Sequence, residues 1–199
     1  MKNVFDSSQQ NMHTKIIVGI ERLSTLFRFG LQDQAKKNQL TPLQIQIILF
    51  IGLHPKPSSP SDIADEFALT RATVSDAIKT LINKSLAEKI QDPADARKFS
   101  VRLTDQGKQE LSSFHPLTQT FDKALGNLSE AECETVWQGI LTLFKALHPT
   151  NIPVRMCYSC QYFKAGDGDS THFCNLMQVT LPSQDLRLDC PEHLIKVQH

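Results

Sequence analysis

Residues 92–107 read DPADARKFSVRLTDQG and contain a turn, a strand and the start of a helix. The turn, 92–95, is rich in aspartate and proline, and apolar residues then alternate with polar ones over 99–103. Alternation with a period of two is typical of a half-buried β-strand. With residues 87–91 before the turn, the pattern predicts a β-hairpin, and Thr104 is suited to cap the helix that follows.

Two short helices are predicted immediately before this hairpin. Ser59-Pro60 opens the first, which breaks near Ala68-Leu69, and Thr70 caps the second, which runs to about Lys84. Two short helices joined by such a turn form a helix-turn-helix. The candidate DNA-contacting residues are Arg71, Thr73, Ser75, Lys79 and Asn83 on the outer face of the second helix, with Arg97 and Lys98 at the tip of the hairpin. Without the hairpin, the same helix face is equally consistent with an ordinary solvated surface.

Local charge favours nucleic acid as the partner of this segment. The whole chain has 21 basic and 21 acidic residues, which excludes the bulk positive charge of a histone-like or membrane-surface protein. Residues 71–102 contain seven basic and four acidic residues, a surplus of three positive charges. Cations at a hairpin tip can neutralise phosphates or enter a minor groove.

Long amphipathic helices are predicted on both sides of this segment. The predicted helices cover about 9–37, 43–53 after a cap at Thr41, the stretch from Thr104 to 125 with a kink near Pro116, and 129–147 after a capping box of Ser129 and Glu132. The second is apolar nearly all round and is expected to be buried. The others carry apolar stripes, and a fold of this size cannot bury three such stripes alone.

The hairpin and the helix entry resemble those of a known family. Residues 92–97 and 101–107 look like the wing signature of the MarR family of winged helix-turn-helix regulators, and 69–75 is similar to its recognition-helix entry. The resemblance covers roughly residues 10–147. Two departures are Ala96, where a second wing arginine is common, and Ser85, where glycine is usual.

The resemblance implies a fold and a function. The fold would be mainly α-helical with a small β-hairpin wing. The function would be sequence-specific DNA binding for transcription regulation, with a small ligand as a possible effector. In the family the first and last helices interlock with those of a second protomer, which implies a homodimer. A two-fold dimer binds an inverted repeat with half-sites about one helical turn apart.

Four of the five cysteines lie in a tail outside the family's usual length. Cys157 and Cys160 form a CxxC pair, and Cys174 and Cys190 follow singly. A tail of this size needs a cross-link, such as disulfides or a bound metal, in addition to its core. Cytoplasmic thiols stay reduced, so the spacing predicts a metal site rather than disulfides. Cys133 lies instead on the apolar stripe of the last long helix and is predicted to be a packed core thiol.

Two alternative kinds of metal centre suit these four cysteines. Zinc is favoured because structural zinc held by four cysteines is common, and an iron–sulfur cluster is the alternative. His172 and His193 lie near these thiols in sequence and could replace one of them as a ligand. Cysteines without a metal also stay open as an interpretation.

The sequence thus predicts four segments. They are an N-terminal dimerisation helix over 1–40, a winged helix-turn-helix over 41–104, C-terminal dimerisation helices over 105–147 and a metal-binding tail over 148–199. No apolar run is long enough to span a membrane, so a cytoplasmic protein without a membrane partner is expected.

A non-enzymatic regulator is expected, whose DNA affinity responds to a ligand or to the state of the tail. The alternative is a redox or metal-carrying enzyme that uses the winged-helix scaffold for dimerisation. No catalytic triad, phosphate loop or paired-carboxylate motif supports this alternative.

Overall fold

The structure is a computed structural model that describes residues 11–54, 56–95, 97–147, 155–166 and 171–196, with the backbone alone at 115–118. The predicted start of the first helix at residue 9 and the wing position 96 lie outside these described residues. Among the described helices, none has both the length and the hydropathy that a membrane span requires.

Two helices precede the helix-turn-helix. Helix α1 spans Met12–Lys37, and the side chain of Asn11 caps it by accepting a hydrogen bond from the amide of His13. Helix α2 spans Pro42–Leu53 and begins with the predicted capping box at Thr41. The all-round apolar sequence of α2 is explained by its central position, because Ile45, Ile47 and Ile48 have no exposed surface.

The helix-turn-helix and the wing have the predicted order. Helix α3 spans Pro60–Glu66, and helix α4, the predicted recognition helix, spans Arg71–Asn83. Strands β1 (Ala87–Gln91) and β2 (Phe99–Leu103) pair in antiparallel register. Ser58 exchanges backbone hydrogen bonds with Val101, so the segment before α3 is joined to the wing. The fully buried side chains include Ile63 of α3, Val74 and Leu81 of α4 and Val101 of β2.

Two tight backbone positions connect the wing to the helices around it. Ser85, which follows the recognition helix, adopts the left-handed conformation with φ 59°, which explains why glycine is common there. At Gly107, a Cβ atom would lie 1.9 Å from the carbonyl oxygen of Leu86. The glycine of the wing signature is therefore required by close backbone packing.

The structure corrects one predicted helix. Residues 105–125 form two helices, α5 (Asp105–Ser113) and α6 (His115–Leu125), rather than one kinked helix. They meet at Phe114, whose ψ of 2° departs from the helical value. A proline in the first turn of α6 explains the break, because proline lacks the amide hydrogen that would continue the helix. Helix α7 spans Glu130–Leu147.

The tail has a small fold of its own against α7. Short 3-10 turns at Cys157–Ser159 and Ser183–Asp185 flank a three-stranded antiparallel sheet of β3 (Phe163–Lys164), β4 (His172–Cys174) and β5 (Val179–Leu181). The indole Nε1 of Trp137 donates a hydrogen bond to the carbonyl of Ser183 at 2.9 Å. Part of the α7 stripe, predicted to lie at a dimer interface, is therefore covered by the tail.

Most of the apolar stripe of α1 is exposed among the described residues, although Phe27 contacts Phe121 of α6. Four of its apolar residues, Ile16, Ile20, Leu23 and Phe27, are exposed by 40% or more. Leu31, near the end of the helix, is buried in the main core. Cys133 is only half-buried, so a single chain does not place this thiol in a core as predicted.

Candidate nucleic-acid interface and cysteine cavity

A cleft between the recognition helix and the wing contains several of the predicted DNA-contacting residues. Its volume is about 450 Å³, and Arg71 and Ser75 line it from α4 while Arg97 and Lys98 line it from the wing. Residues 59–61, at the start of α3, form its third side. The fold thus brings together cations from two separate segments of the sequence. We name this surface the helix–wing cleft.

The other three predicted contacts lie outside this cleft. Thr73, Lys79 and Asn83 are all exposed on α4, and Thr73 has its hydroxyl 2.9 Å from that of Thr70. The buried face of the same helix carries Val74 and Ile78. The helix therefore has the predicted division into a core face and a polar face.

Two aspartates build the tip of the wing. The carboxylate of Asp92 accepts hydrogen bonds from the amides of Ala94 at 2.8 Å and Asp95 at 3.3 Å. The carboxylate of Asp95 accepts from the amide of Arg97 at 3.0 Å and lies 3.3 Å from its Nε. These bonds hold a tight turn while the Arg97 side chain stays 91% exposed. The acidic residues of the wing signature thus shape the loop that presents its cation.

The arrangement is suited to contact a polyanion. Among the described residues, Arg71, Lys79 and Lys98 form no ion pair with an acidic side chain, and all three are exposed. Exposed cations on a helix and on an adjacent hairpin can neutralise phosphates on both sides of a groove.

The comparisons with known proteins agree with this geometry. Residues 38–98 match the model of the MarR family. The match covers α2, the helix-turn-helix and the wing up to Lys98. The tail, residues 148–199, lies outside this MarR match.

Two curated relatives are transcription regulators by name. The chain is 30% identical over 102 residues to the HTH-type transcriptional repressor NicR of Pseudomonas putida, which is 51% of this chain and 64% of NicR. It is 33% identical over 64 residues to the HTH-type transcriptional regulator BilQ of Clostridioides difficile, which is 32% of this chain and 43% of BilQ. The chain therefore spans less than two thirds of the length of each relative.

Solved structures show the same fold. The MepR–DNA complex of S. aureus has a TM-score of 0.55 and 22% identity, covering 64% of this chain and 95% of MepR. FabT of Streptococcus pneumoniae in complex with DNA has a TM-score of 0.54 and 20% identity, covering 65% of this chain and 95% of FabT. Apo MarR of E. coli has a TM-score of 0.52 and 17% identity, covering 62% of this chain and 92% of MarR. The fold is thus the winged helix of MarR proteins.

The four tail cysteines, which follow this MarR-like part, all line one cavity. Cys157, Cys160, Cys174 and Cys190 come from three places in the tail and line a space of about 580 Å³, which we name the cysteine cavity. Apolar side chains such as Leu181 and Leu186 form most of its surface, and the charged residues Asp185, Arg187 and Glu192 also line it. Among the described residues, no three His, Cys, Asp or Glu side chains converge closely enough to hold a metal ion. The metal site stays a prediction, although the fold has brought its predicted ligands to one cavity.

The environment of Cys157 disfavours its thiolate when no cation is near. Burial raises the pKa of Cys157, a hydrogen bond from the Arg187 amide lowers it, and the three neighbouring thiols of the cavity raise it further. The Arg187 amide nitrogen lies 3.3 Å from the Cys157 sulfur. These thiols are close enough to repel one another when ionised.

The two tail histidines face other partners. The Nδ1 atom of His172 accepts a hydrogen bond from the amide of Gly166, and its ring packs against Phe163 at 5.0 Å between centroids. The Nε2 atom of His193 lies 2.8 Å from the hydroxyl of Ser159. In the described part of the tail, neither histidine is among the residues that line the cysteine cavity.

A second group of polar residues joins the tail to the MarR-like part and was missed in the sequence. The guanidinium of Arg155 donates to the carboxylate of Asp189 at 2.7 Å and contacts the His54 ring. It also lies 4.8 Å above the ring of Phe50, and its Nε is 3.1 Å from the carboxylate of Glu66. We name these five residues the Arg155 cluster. Because its members come from four separate segments of the chain, no local motif could have revealed them.

The Arg155 cluster is partly shielded from water. Arg155 and Glu66 side chains are 23% and 24% exposed. The Nε atom of Arg155 makes no hydrogen bond, so its attraction to Glu66 is Coulombic. Burial raises the pKa of Glu66, whereas the Arg155 guanidinium lowers it. A separate ion pair between Lys56 and Glu192, 2.7 Å apart, joins the same two parts of the chain.

A further cavity lies between α2, the wing and α5. Its volume is about 790 Å³, and Gly52, Lys56, Arg102, Lys108 and Leu111 are among its lining residues. Arg102 and Lys108 already pair with Glu88 and Asp105 across its polar side. The cavity is large enough for a small organic ligand.

Proposed function

We propose that the protein is a transcription regulator that binds specific DNA sequences through the recognition helix and the wing. The observation that carries the proposal is the helix–wing cleft, where Arg71, Arg97 and Lys98 meet from separate segments. The names of NicR and BilQ and the DNA-bound structures of MepR and FabT support it. Binding in the nucleoid would place the protein in the cytoplasm, where its thiols stay reduced.

A retardation assay with genomic fragments tests DNA binding. We expect saturable retention of a few fragments that survives an excess of competitor DNA and weakens steeply with salt. An enzyme that only borrows the scaffold would retain all fragments alike or none. Retention that competitor abolishes at every fragment would contradict the proposal.

The active form is proposed to be a two-fold homodimer. The exposed apolar stripe of α1 needs a partner, and a second copy places two recognition helices in successive major grooves. We expect a dimer in sedimentation at micromolar concentration and a monomer for Ile20→Glu. The control is Glu21→Gln, which alters the polar side of the same turn. A wild-type monomer with full DNA affinity would contradict a dimer.

A small-molecule effector is proposed for the cavity beside Gly52 and Leu111. Its position between the wing and α5 would let a ligand change the angle of the wing. Leu111→Trp should fill part of this space, since the Leu111 side chain already contacts the backbone region of Gly52. We expect this variant to lose its response to any effector found by screening, while Leu194→Trp, at an exposed position of the tail outside the cysteine cavity, keeps it.

The cysteine cavity is proposed to hold one metal centre per chain, either zinc or an iron–sulfur cluster. Its support is the convergence of all four cysteines on one largely apolar space and the amide of Arg187 directed at the Cys157 sulfur. Both centres are bound by four thiolates, and loading would draw the four sulfurs inward with release of their protons.

Purification without air tests the metal centre and separates the two alternatives. Brown protein with iron and sulfide would indicate a cluster, whereas colourless protein with one zinc per chain would indicate a structural zinc site. Cys157→Ser should abolish the metal, and Cys133→Ser should retain it. Protein with four freely titrating tail thiols and neither metal, in a folded tail, would contradict the proposal.

A further inference from the structure

Arg155 connects the segment of Cys190, which lines the cysteine cavity, to the end of α3. The backbone carbonyl of Arg155 accepts a hydrogen bond from the amide of Cys190 at 2.9 Å. The Arg155 side chain binds the carboxylate of Asp189, the residue next to Cys190, at 2.7 Å. Arg155 is thus attached twice to the segment that supplies one of the four thiols. Displacement of Cys190 would displace the surroundings of Arg155.

The same side chain contacts the helix-turn-helix from outside. Glu66, 3.1 Å from Arg155, is the last residue of α3. Helix α3 packs on the recognition helix. In the turn between them, the amide of Leu69 donates a hydrogen bond to the carbonyl of Ala64 in α3 at 3.0 Å. Phe50, under the guanidinium, contacts Phe67 edge-on at 5.8 Å. One cation therefore fixes the end of α3 against the tail.

We infer that the Arg155 cluster transmits the loading state of the cysteine cavity to the recognition helix, an inference that rests on the proposed regulator and its metal centre. With a metal bound, Cys190 is held, and Arg155 stays between Asp189 and Glu66. Without it, the Cys190 segment is released and α3 loses this anchor. DNA binding must then order α3 again, so the loaded protein has the higher DNA affinity.

The experiment compares loaded and unloaded full-length protein. Loading uses Zn²⁺, or iron and sulfide without air, according to the centre that purified protein contains, and a chelator unloads it. The DNA is a duplex that the wild-type protein selects from a random library. We expect unloading to raise the wild-type Kd at least fivefold. In Arg155→Met, the ratio of the Kd of unloaded protein to the Kd of loaded protein should fall close to one, with unchanged metal content.

A matched control isolates the role of the cluster. Lys164→Met removes an exposed cation of the tail sheet and should keep the wild-type ratio. Glu66→Gln removes only the negative charge that faces Arg155 on α3, and it should also lower the ratio of unloaded to loaded Kd. This second variant tests the inference if Arg155→Met does not fold.

Hydrogen exchange gives a second readout, which does not depend on DNA binding. Amides of residues 61–66 should exchange several times faster in unloaded than in loaded wild-type protein, and equally fast in both states of Glu66→Gln. The inference would be overturned if the ratio of unloaded to loaded Kd were the same in the wild type and both cluster variants, provided that all three proteins bind metal and DNA. Absence of metal would instead overturn the metal centre, and absence of DNA binding would overturn the regulator.

Discussion

The winged helix has a core of fully buried aliphatic side chains, whereas the buried cluster of the tail is small and includes thiols. Ile47, Ile63 and Leu81 are completely buried in the first region. In the second, the buried cluster is Leu141, Cys157, Cys160, Phe163 and Leu186. Apolar burial stabilises the first region by itself, at about 25 cal/mol per Å². The tail has too little of it, so its order is expected to depend on what its cysteines bind.

The largest expected effect separates the two regions directly. Cys174→Ser, or removal of the metal by a chelator, should unfold much of the tail, because structural zinc contributes on the order of 10 kcal/mol of apparent folding free energy. Hydrogen exchange should show loss of protection over residues 171–196 and unchanged protection over 74–81. Cys133→Ser serves as the control. Equal protection of the tail with and without metal would show that its small core suffices.

A second substitution tests the tight packing of the winged helix. Gly107→Ala should lower the free energy of unfolding by about 2–3 kcal/mol, because the new methyl group would overlap the Leu86 carbonyl oxygen. Urea denaturation measures the change. Gly139→Ala is the control, since no atom lies within 4 Å of its Cβ position. Equal stability of the two variants would show that the wing can shift away from α5.

A third substitution tests the wing as a contact to phosphate. Arg97→Ala should weaken binding to all DNA sequences nearly alike and reduce the salt slope by about one, because the side chain would neutralise one phosphate. Retardation assays at several salt concentrations measure both quantities. Lys164→Ala, which removes a cation outside the helix–wing cleft, should change neither. An unaltered slope for Arg97→Ala would mean that the wing does not touch DNA.

The smallest expected effect concerns the backbone between the recognition helix and the wing. Ser85→Gly should stabilise the protein by about 0.5 kcal/mol, because relief of the left-handed strain exceeds the entropy that glycine adds to the unfolded chain. Thermal unfolding of the isolated protein measures it. Ser112→Gly, inside α5, should instead destabilise by a similar amount. A lower Tm for Ser85→Gly would show that strain at this site is negligible.

Local patterns predicted most of the helix-turn-helix and the wing. The caps at Thr41, Ser59, Thr70 and Thr104 are all present, as is the hairpin. The prediction of one helix over 105–125 was wrong, because the strength of a proline break depends on how the two segments pack.

Periodicity, caps and residue types were enough to predict the helix-turn-helix, the wing and the number of cysteines available to a metal. Tertiary structure alone decided which cations share a cleft and that four separate cysteines face one cavity. It also decided that Trp137 packs against the tail and that Arg155 contacts Glu66 and Asp189. These contacts join residues far apart in the chain, and only the packing of whole helices determines their distances.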